Sequence, residues 1–227
     1  MSSLDLVHNY FDREAERFDA IYEKDKPLHQ QIGDAIFRRV IHERYSLVIN
    51  AIAPVDRTAL DVGCGPARYG LELARRKCKR YVGIDVAEQM INIGRAAAER
   101  AGVADRCHFE VSDYLSWQST EQFDAVIAMG YYDYLEAPLP HLQKMIANCR
   151  GQIFCSLPKR WEFRTPLRMA RFKLANGFVR FYSRTDVLDL CREALGTPGA
   201  LAFVSIVDLG RDYIAIINVG GMRAALG

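Results

Sequence analysis

Several absences narrow this 227-residue chain before any motif is considered. It has no apolar run near the ~20 residues that a membrane-crossing helix needs. It begins MSSLDLVHNYFDREAERF, with neither the basic stretch nor the apolar stretch of a secretory leader. Its formal charge is only +2, so charge alone implies neither a nucleic-acid nor a membrane partner. Six cysteines are scattered and none forms a C-x-x-C pair, which suggests neither a zinc site nor a redox pair. Three lie in or beside apolar strand-like runs and read as reduced core thiols of a cytoplasmic protein. There are no repeats and no low-complexity segment. Half the residues are hydrophobic, enough for the core of one domain spanning 1–227.

What is present is a switch of period along the chain. Residues 4–50 read as helical: Val7, Phe11, Phe18 and Tyr22 share one face, Lys26-Pro27 interrupts, and a second helix runs from about Leu28 to Ala51. Strands are then expected at Thr58–Val62, Arg80–Asp85, Cys107–Val111, Phe123–Met129, Gln152–Leu157, Ala200–Val207 and Asp212–Val219. Helices are expected between most of them, near 68–77, 87–102, 138–149 and 184–195. Apolar strands alternating with helices imply an α/β fold with a parallel sheet covered on both faces. Only Leu209-Gly210-Arg211 separates the last two strands, too little for a helical crossover, so these should be antiparallel.

The stretch ALDVGCGPARYG, residues 59–70, carries the most chemistry. A strand ends, Gly63 and Gly65 let the backbone turn sharply beside a ligand, and a helix begins. Asp85 ends the next strand, where an acid accepts hydrogen bonds from a ribose diol, so the expected ligand is a nucleoside. A dinucleotide fingerprint would need a third glycine at position 68, which is Arg, and the G-K-[ST] of a phosphate loop is missing.

In order along the chain, LDVGCGPARYG, YVGIDVAEQMI, FEVSDYLSW and FDAVIAMGYYDYLEAP resemble the motifs of class I S-adenosylmethionine-dependent methyltransferases over roughly residues 5–218. The resemblance implies a Rossmann-like three-layer sandwich, with a seven-stranded, mostly parallel sheet, an antiparallel last strand and an N-terminal helical lid. It divides the chain into a lid (1–55), a cofactor-binding core (56–157), a basic insertion on the substrate side (158–184) and a C-terminal helix and hairpin (185–227). The cofactor it implies is S-adenosylmethionine. Carried over by motif, Asp61, Gly63 and Gly65 would lie along the methionine portion and Asp85 on the ribose. Val86 and Met90 would flank the adenine, Asp113 and Tyr114 would face its amino group, and Met129 and Gly130 would lie near the sulfonium. The segment VHNYFDREAERFDAIY is similar to the lid of magnesium protoporphyrin methyltransferases; it would set Tyr10 beside the cofactor and Tyr22 beside the reacting atoms.

For the acceptor side, Asp133 stands where many relatives carry His. It reads either as a base or amine anchor, or as the cap of a turn or of the helix after Pro138. Tyr131, Tyr132 and Tyr134 are candidate pocket walls, at least one of them core. His141 reads as a surface or packing residue. From Lys159 to Arg184 there are eight Lys or Arg against one acid, a charge of +7 that leaves −5 for the remainder. Arg160, Arg164 and Arg168 would suit a carboxylate or phosphate, or else form a solvated helix face. The expected activity is methyl transfer to a small molecule, most simply to oxygen and on an anionic or aromatic acceptor. Nitrogen as acceptor, or cofactor binding without turnover, stays open. MGYYDY differs from the N/D-P-P-Y of amino-methylating nucleic-acid enzymes and no Pro-Cys pair is present, so no nucleic-acid partner is expected. Neither a metal nor stable membrane insertion is expected, and the sequence leaves the oligomeric state open.

Overall fold

A computed structural model describes residues 42–52, 55–160 and 179–226. Its centre is a seven-stranded sheet: β1 (Thr58–Val62), β2 (Arg80–Asp85), β3 (Cys107–Val111), β4 (Phe123–Ala128), β5 (Cys149–Pro158), β6 (Val204–Asp208) and β7 (Asp212–Asn218). The spatial order is β3-β2-β1-β4-β5-β7-β6. Strands β1 to β5 are mutually parallel, and β7 runs antiparallel between β5 and β6. This is the Rossmann-like arrangement expected, with β7 as the reversed strand.

Alternation of side chains across the strands builds the two outer layers. Leu60, Val62, Val82, Ile84, Val126, Ala128 and Ile153 face one way. They are covered by α3 (Pro138–Asn148) and α4 (Arg184–Leu195) through Leu142, Met145, Val187 and Cys191. Ala59, Tyr81, Ile127, Phe154 and Ile214 face the other way. Covering them are the helical stretch 42–51, α1 (Arg68–Arg75) and α2 (Glu88–Arg100), through Val48, Ile49, Leu73, Ala74 and Ile91. Every residue of β1 is buried, as a strand covered on both faces requires.

Differences from expectation are local and have steric causes. Strand β5 begins at Cys149, not Gln152, and its register with β4 shifts at Phe123/Ala125. A Cβ on Gly151 would come within 2.0 Å of the Asp124 carbonyl oxygen, so only glycine admits this close pairing. Residues Ala200–Phe203 form a 3-10 turn ahead of β6. The chain after β7 turns into a helix, α5 (Val219–Leu226), where the strand was expected to continue through Val219. Arg223 of α5 donates to the carbonyls of Ile146 and Cys149, completing the end of α3. Helix α4 starts at a reciprocal Ser183–Asp186 cap and stops at Gly196, with φ 64°. No helix of the described residues is long and apolar enough to cross a membrane.

Candidate active site

In an open parallel sheet, ligands bind beyond the carboxyl ends of the strands where the strand order reverses. Here that point lies between β1 and β4, because β1 has β2 on one side and β4 on the other. The turn after β1 bends at once: the N–H groups of Gly63 and Cys64 both donate to the Ile84 carbonyl, at 2.8 and 3.0 Å. Gly63, Gly65 and Ala67 all have left-handed backbones, with φ 67°, 52° and 59°. Glycine adopts this at no steric cost, whereas alanine does not. A Cβ on Gly65 would meet nothing within 4 Å, so the turn opens onto free space there.

Asp85 locks this turn to the next one. One carboxylate oxygen accepts from Gly65 N–H at 2.8 Å and the other from Ala87 N–H at 2.9 Å. The close helix–strand approach that a glycine at 68 would give is made at Gly70, whose Cβ would lie 2.1 Å from the Tyr81 ring. Tyr81, thus seated, donates its hydroxyl to Asp61 at 3.0 Å. Asp61 is only 2% exposed. Burial pushes its carboxyl up to about 7, helped by the charge of Asp85 and opposed by the Tyr81 bond.

After β4 the chain supplies the opposite wall. Gly130 (φ 76°) donates its N–H to Ser156 Oγ at 2.7 Å and, like Gly65, has open space where a Cβ would be. The Tyr131 ring lies over Gly63, whose Cβ would come within 2.7 Å of it. The Tyr131 hydroxyl pairs with His141 Nδ1 at 2.8 Å. Burial pushes the Tyr131 phenol far up, with Asp113, Tyr114 and Asp85 adding to the rise. Burial also lowers the His141 imidazole, so that this pair is neutral at physiological pH.

The sequence-derived site residues fall into three groups. Asp61, Gly63, Gly65, Asp85, Val86, Met129 and Gly130 gather at the carboxyl ends of β1, β2 and β4, and Asp113 follows β3. Asp113 accepts the Ser116 N–H at 3.0 Å, shaping its own turn. Met90 is 3% exposed and packs with Ala87. Tyr114 and Tyr132 form a second group, and both pack inside the molecule. Tyr114 donates to Asn148 at 3.0 Å, and Tyr132, fully buried, has its hydroxyl on Met145 Sδ. His141 is likewise buried, not at the surface. Tyr10, Tyr22, Arg164 and Arg168 form the third group and lie outside the described residues.

Asp133 is 7% exposed on the 3-10 turn Tyr132–Tyr134. Its carbonyl accepts the Arg180 N–H at 2.8 Å. Tyr182 N–H reaches the Pro158 carbonyl, and Arg160 N–H reaches that of Tyr182. Both ends of the basic segment are therefore fixed beside Asp133, with Arg160 exposed.

Sequence reasoning missed Arg44. It belongs to the helical stretch 42–51 and reaches the same strand ends, with Nη1 3.4 Å from both Ser156 Oγ and Asp212 Oδ2. Burial opposes its charge, but Tyr69, Asp212 and Asp133 outweigh burial and raise the guanidinium above its ordinary value. No short motif surrounds Arg44; its only signal is a single arginine on a helix face that otherwise packs inward.

Comparison with known proteins fits this geometry. The family model described as a methyltransferase domain matches residues 59–152, the span from β1 into β5. Over residues 59–152 the chain is similar to methyltransferase domains. The chain is 30% identical over 106 residues to a tRNA U34 carboxymethyltransferase of Haemophilus ducreyi, covering 46% of this chain and 33% of that protein. The chain thus spans about a third of the length of that relative. Solved structures extend the likeness to the whole class I fold. Magnesium protoporphyrin IX methyltransferase of Synechocystis, crystallised with SAH bound, superimposes with a TM-score of 0.73 at 15% identity, over 96% of this chain and 99% of that one. The [4+2]-cyclase SpnF superimposes with a TM-score of 0.62 at 21% identity, over 92% and 75%. At such identities the methyltransferase fold is shared, and chemistry must be argued from the site.

Proposed function

We propose that this chain binds S-adenosylmethionine and transfers its methyl group to a small-molecule acceptor, most simply to an oxygen. One observation carries the cofactor reading: an opening at the β1/β4 switch point walled by Gly65 backbone, with the Asp85 carboxylate tied to that same backbone. Chemically, this set suits a nucleoside with an amino-acid tail. Asp85 presents a carboxylate to a ribose diol, Gly63 and Gly65 admit close approach, and Asp61 offers a carboxylate to an ammonium group. Val86, Met90 and Asp113 would border the adenine and Met129 with Gly130 the sulfonium.

When bound, the cofactor supplies an electrophilic methyl, so the protein's task is to orient the acceptor in line and exclude water. Asp133 is the residue we assign to the acceptor, as proton acceptor for a hydroxyl or as anchor for an amine. Arg44 and Tyr182 lie close enough to feel its charge. Arg160, at the mouth of the basic segment, would attract an anionic acceptor; Tyr134 would border it. Arg164, Arg168, Tyr10 and Tyr22 remain part of the proposal on their sequence resemblance.

Calorimetric titration with S-adenosylhomocysteine, with NADH as control, tests the cofactor reading on wild type and Asp85→Ala. Binding of the first ligand only, and its loss in the variant, is the expected result. Binding of NADH, or of neither ligand by folded wild type, sinks it. A mass-spectrometric screen for a gained methyl group then tests the acceptor class, using carboxylated and aromatic small molecules beside bulk tRNA. Methylation of tRNA alone would overturn the small-molecule reading.

A further inference from the structure

We propose that Lys144 is a positioning residue for recognition of the cofactor's base, because it sets the turn that carries Asp113; the inference rests on the cofactor reading just given. Lys144, on α3, aims its ammonium at three backbone carbonyls of the chain after β3. Nζ donates to Tyr114 at 2.7 Å, to Leu115 at 2.9 Å and to Trp117. An ammonium has three N–H donors, so each carbonyl takes one. The same nitrogen lies 5.1 Å from the centroid of the Tyr114 ring. Carbonyls aimed at one point repel one another, and a cation among them reverses that repulsion. The turn therefore depends on this side chain for its shape. Asp113 belongs to the same knot of bonds: its carboxylate accepts the Ser116 N–H at 3.0 Å and its carbonyl accepts the Trp117 N–H at 2.9 Å. The charge of Asp113 in turn favours the ammonium form of Lys144 against the cost of burial.

Position argues for more than local packing. His141, Lys144 and Asn148 follow one another at steps of three and four, along one face of α3. His141 holds Tyr131, whose ring lies over Gly63. Lys144 holds the turn of Asp113, and Asn148 receives the Tyr114 hydroxyl. One helix face thus fixes the wall after β4 and the wall after β3 relative to each other. The Ser112 N–H donates to the Asp85 carbonyl at 2.9 Å, which joins the turn to the strand end assigned to the ribose. A base lying between these walls meets the Asp113 carboxylate at a place that Lys144 determines. A carboxylate so placed accepts from an exocyclic amine and repels a carbonyl, which is the difference between adenine and hypoxanthine.

The test compares two ligands that differ only at that edge of the base. S-adenosylhomocysteine and S-inosylhomocysteine, which carries a carbonyl in place of the amino group, are titrated calorimetrically into wild type, Lys144→Met and Lys144→Arg. Thermal unfolding checks that each is folded, and Lys144→Gln, which keeps amide donors for the carbonyls, replaces Lys144→Met if that variant is not. Wild type should prefer the adenine ligand. Lys144→Met should weaken it about tenfold, the scale of one charged hydrogen bond, and the inosine ligand less than about threefold, so that the preference shrinks. Lys144→Arg, which returns a cation, should recover part of it. In an Asp113→Ala background, Lys144→Met should cost less than about twofold more, because the contact it positions is already gone. Equal weakening of both ligands, weakening of neither, or an undiminished loss in the Asp113→Ala background overturns the assignment. Wild type that binds neither ligand overturns the cofactor reading itself, which separates the two failures.

Discussion

The two ends of the parallel strands handle charge in opposite ways. At the amino ends, Asp124 accepts from Thr58 N–H and Thr58 Oγ1 and pairs with Arg150 through both oxygens at 2.9 Å, with Arg57 at 3.3 Å. Everything there is matched, and the Arg150 and Thr58 bonds hold the Asp124 carboxyl far below its ordinary value against some burial. At the carboxyl ends, Asp61 is buried with a raised carboxyl, Arg44 keeps an unmatched Nε, and two glycines face open space. A self-satisfied cluster stabilises a fold. An incompletely satisfied one retains binding capacity, and the free energy to complete it comes from a ligand. The same sheet thus has one end finished for stability and one left for chemistry.

The largest test of this contrast is Asp85→Ala. The Gly65 and Ala87 N–H groups lose their acceptor and the prospective ribose acceptor goes with it, so affinity for S-adenosylhomocysteine should fall 100-fold or more, from about 3 kcal/mol of charged hydrogen bonding. Asp124→Ala should do the reverse. It should lower unfolding stability by about 2 kcal/mol, by leaving a buried Thr58 N–H without its acceptor. Affinity for the same ligand, in a titration run well below the melting point, should stay within about twofold. A large affinity loss in the Asp124 variant would erase the distinction between the ends.

Much of the fold was legible because it depends on local patterns. Strands β1, β2 and β3 match expectation to the residue, since each is a short apolar run bounded by turn residues. Gly63, Gly65 and Asp85 were legible because close backbone approach and a strand-end acid leave a fixed spacing. Tyr114 and Tyr132 were not, because the segments after β3 and β4 have no period to say which ring points inward. Arg44 was invisible for a related reason: its partners Ser156 and Asp212 are more than a hundred residues away in sequence. Helix α5 was missed because Gly220 in Val219-Gly220-Gly221 reads as a break, whereas it admits the Arg150 carbonyl, 2.6 Å from where a Cβ would stand.

The ends should also differ in sign with pH. Asp124, held low, contributes stability that is present above the ordinary carboxylate value near 4 and is lost as pH falls. Asp61, held high, makes the folded state retain a proton that the unfolded chain releases, so its contribution falls as pH rises from about 4 to about 7. An ammonium-bearing tail binds the ionised form of Asp61. Affinity for S-adenosylhomocysteine should therefore rise about tenfold from pH 6 to pH 8 and then level off, as a group titrating near 7 dictates. Asp61→Asn, which keeps an acceptor for Tyr81, should bind more weakly with no such rise. A flat wild-type profile would place the tail away from Asp61.

The smallest expected effect is at Ala67, the one non-glycine residue of the turn between β1 and α1 with a left-handed backbone. That conformation costs an alanine about 1–2 kcal/mol relative to glycine. The methyl is nonetheless fully buried, beside the position a Cβ of Gly94 would take, and burying one such group contributes about 0.8 kcal/mol. Glycine would also give the unfolded chain more freedom, a further loss of about 0.4–1 kcal/mol. These terms nearly cancel, so Ala67→Gly should change unfolding stability by less than about 0.5 kcal/mol, read from chemical denaturation. A clear gain would mean that the turn stores strain at the ligand-binding end, and a clear loss that the methyl is needed to seat α1 against α2.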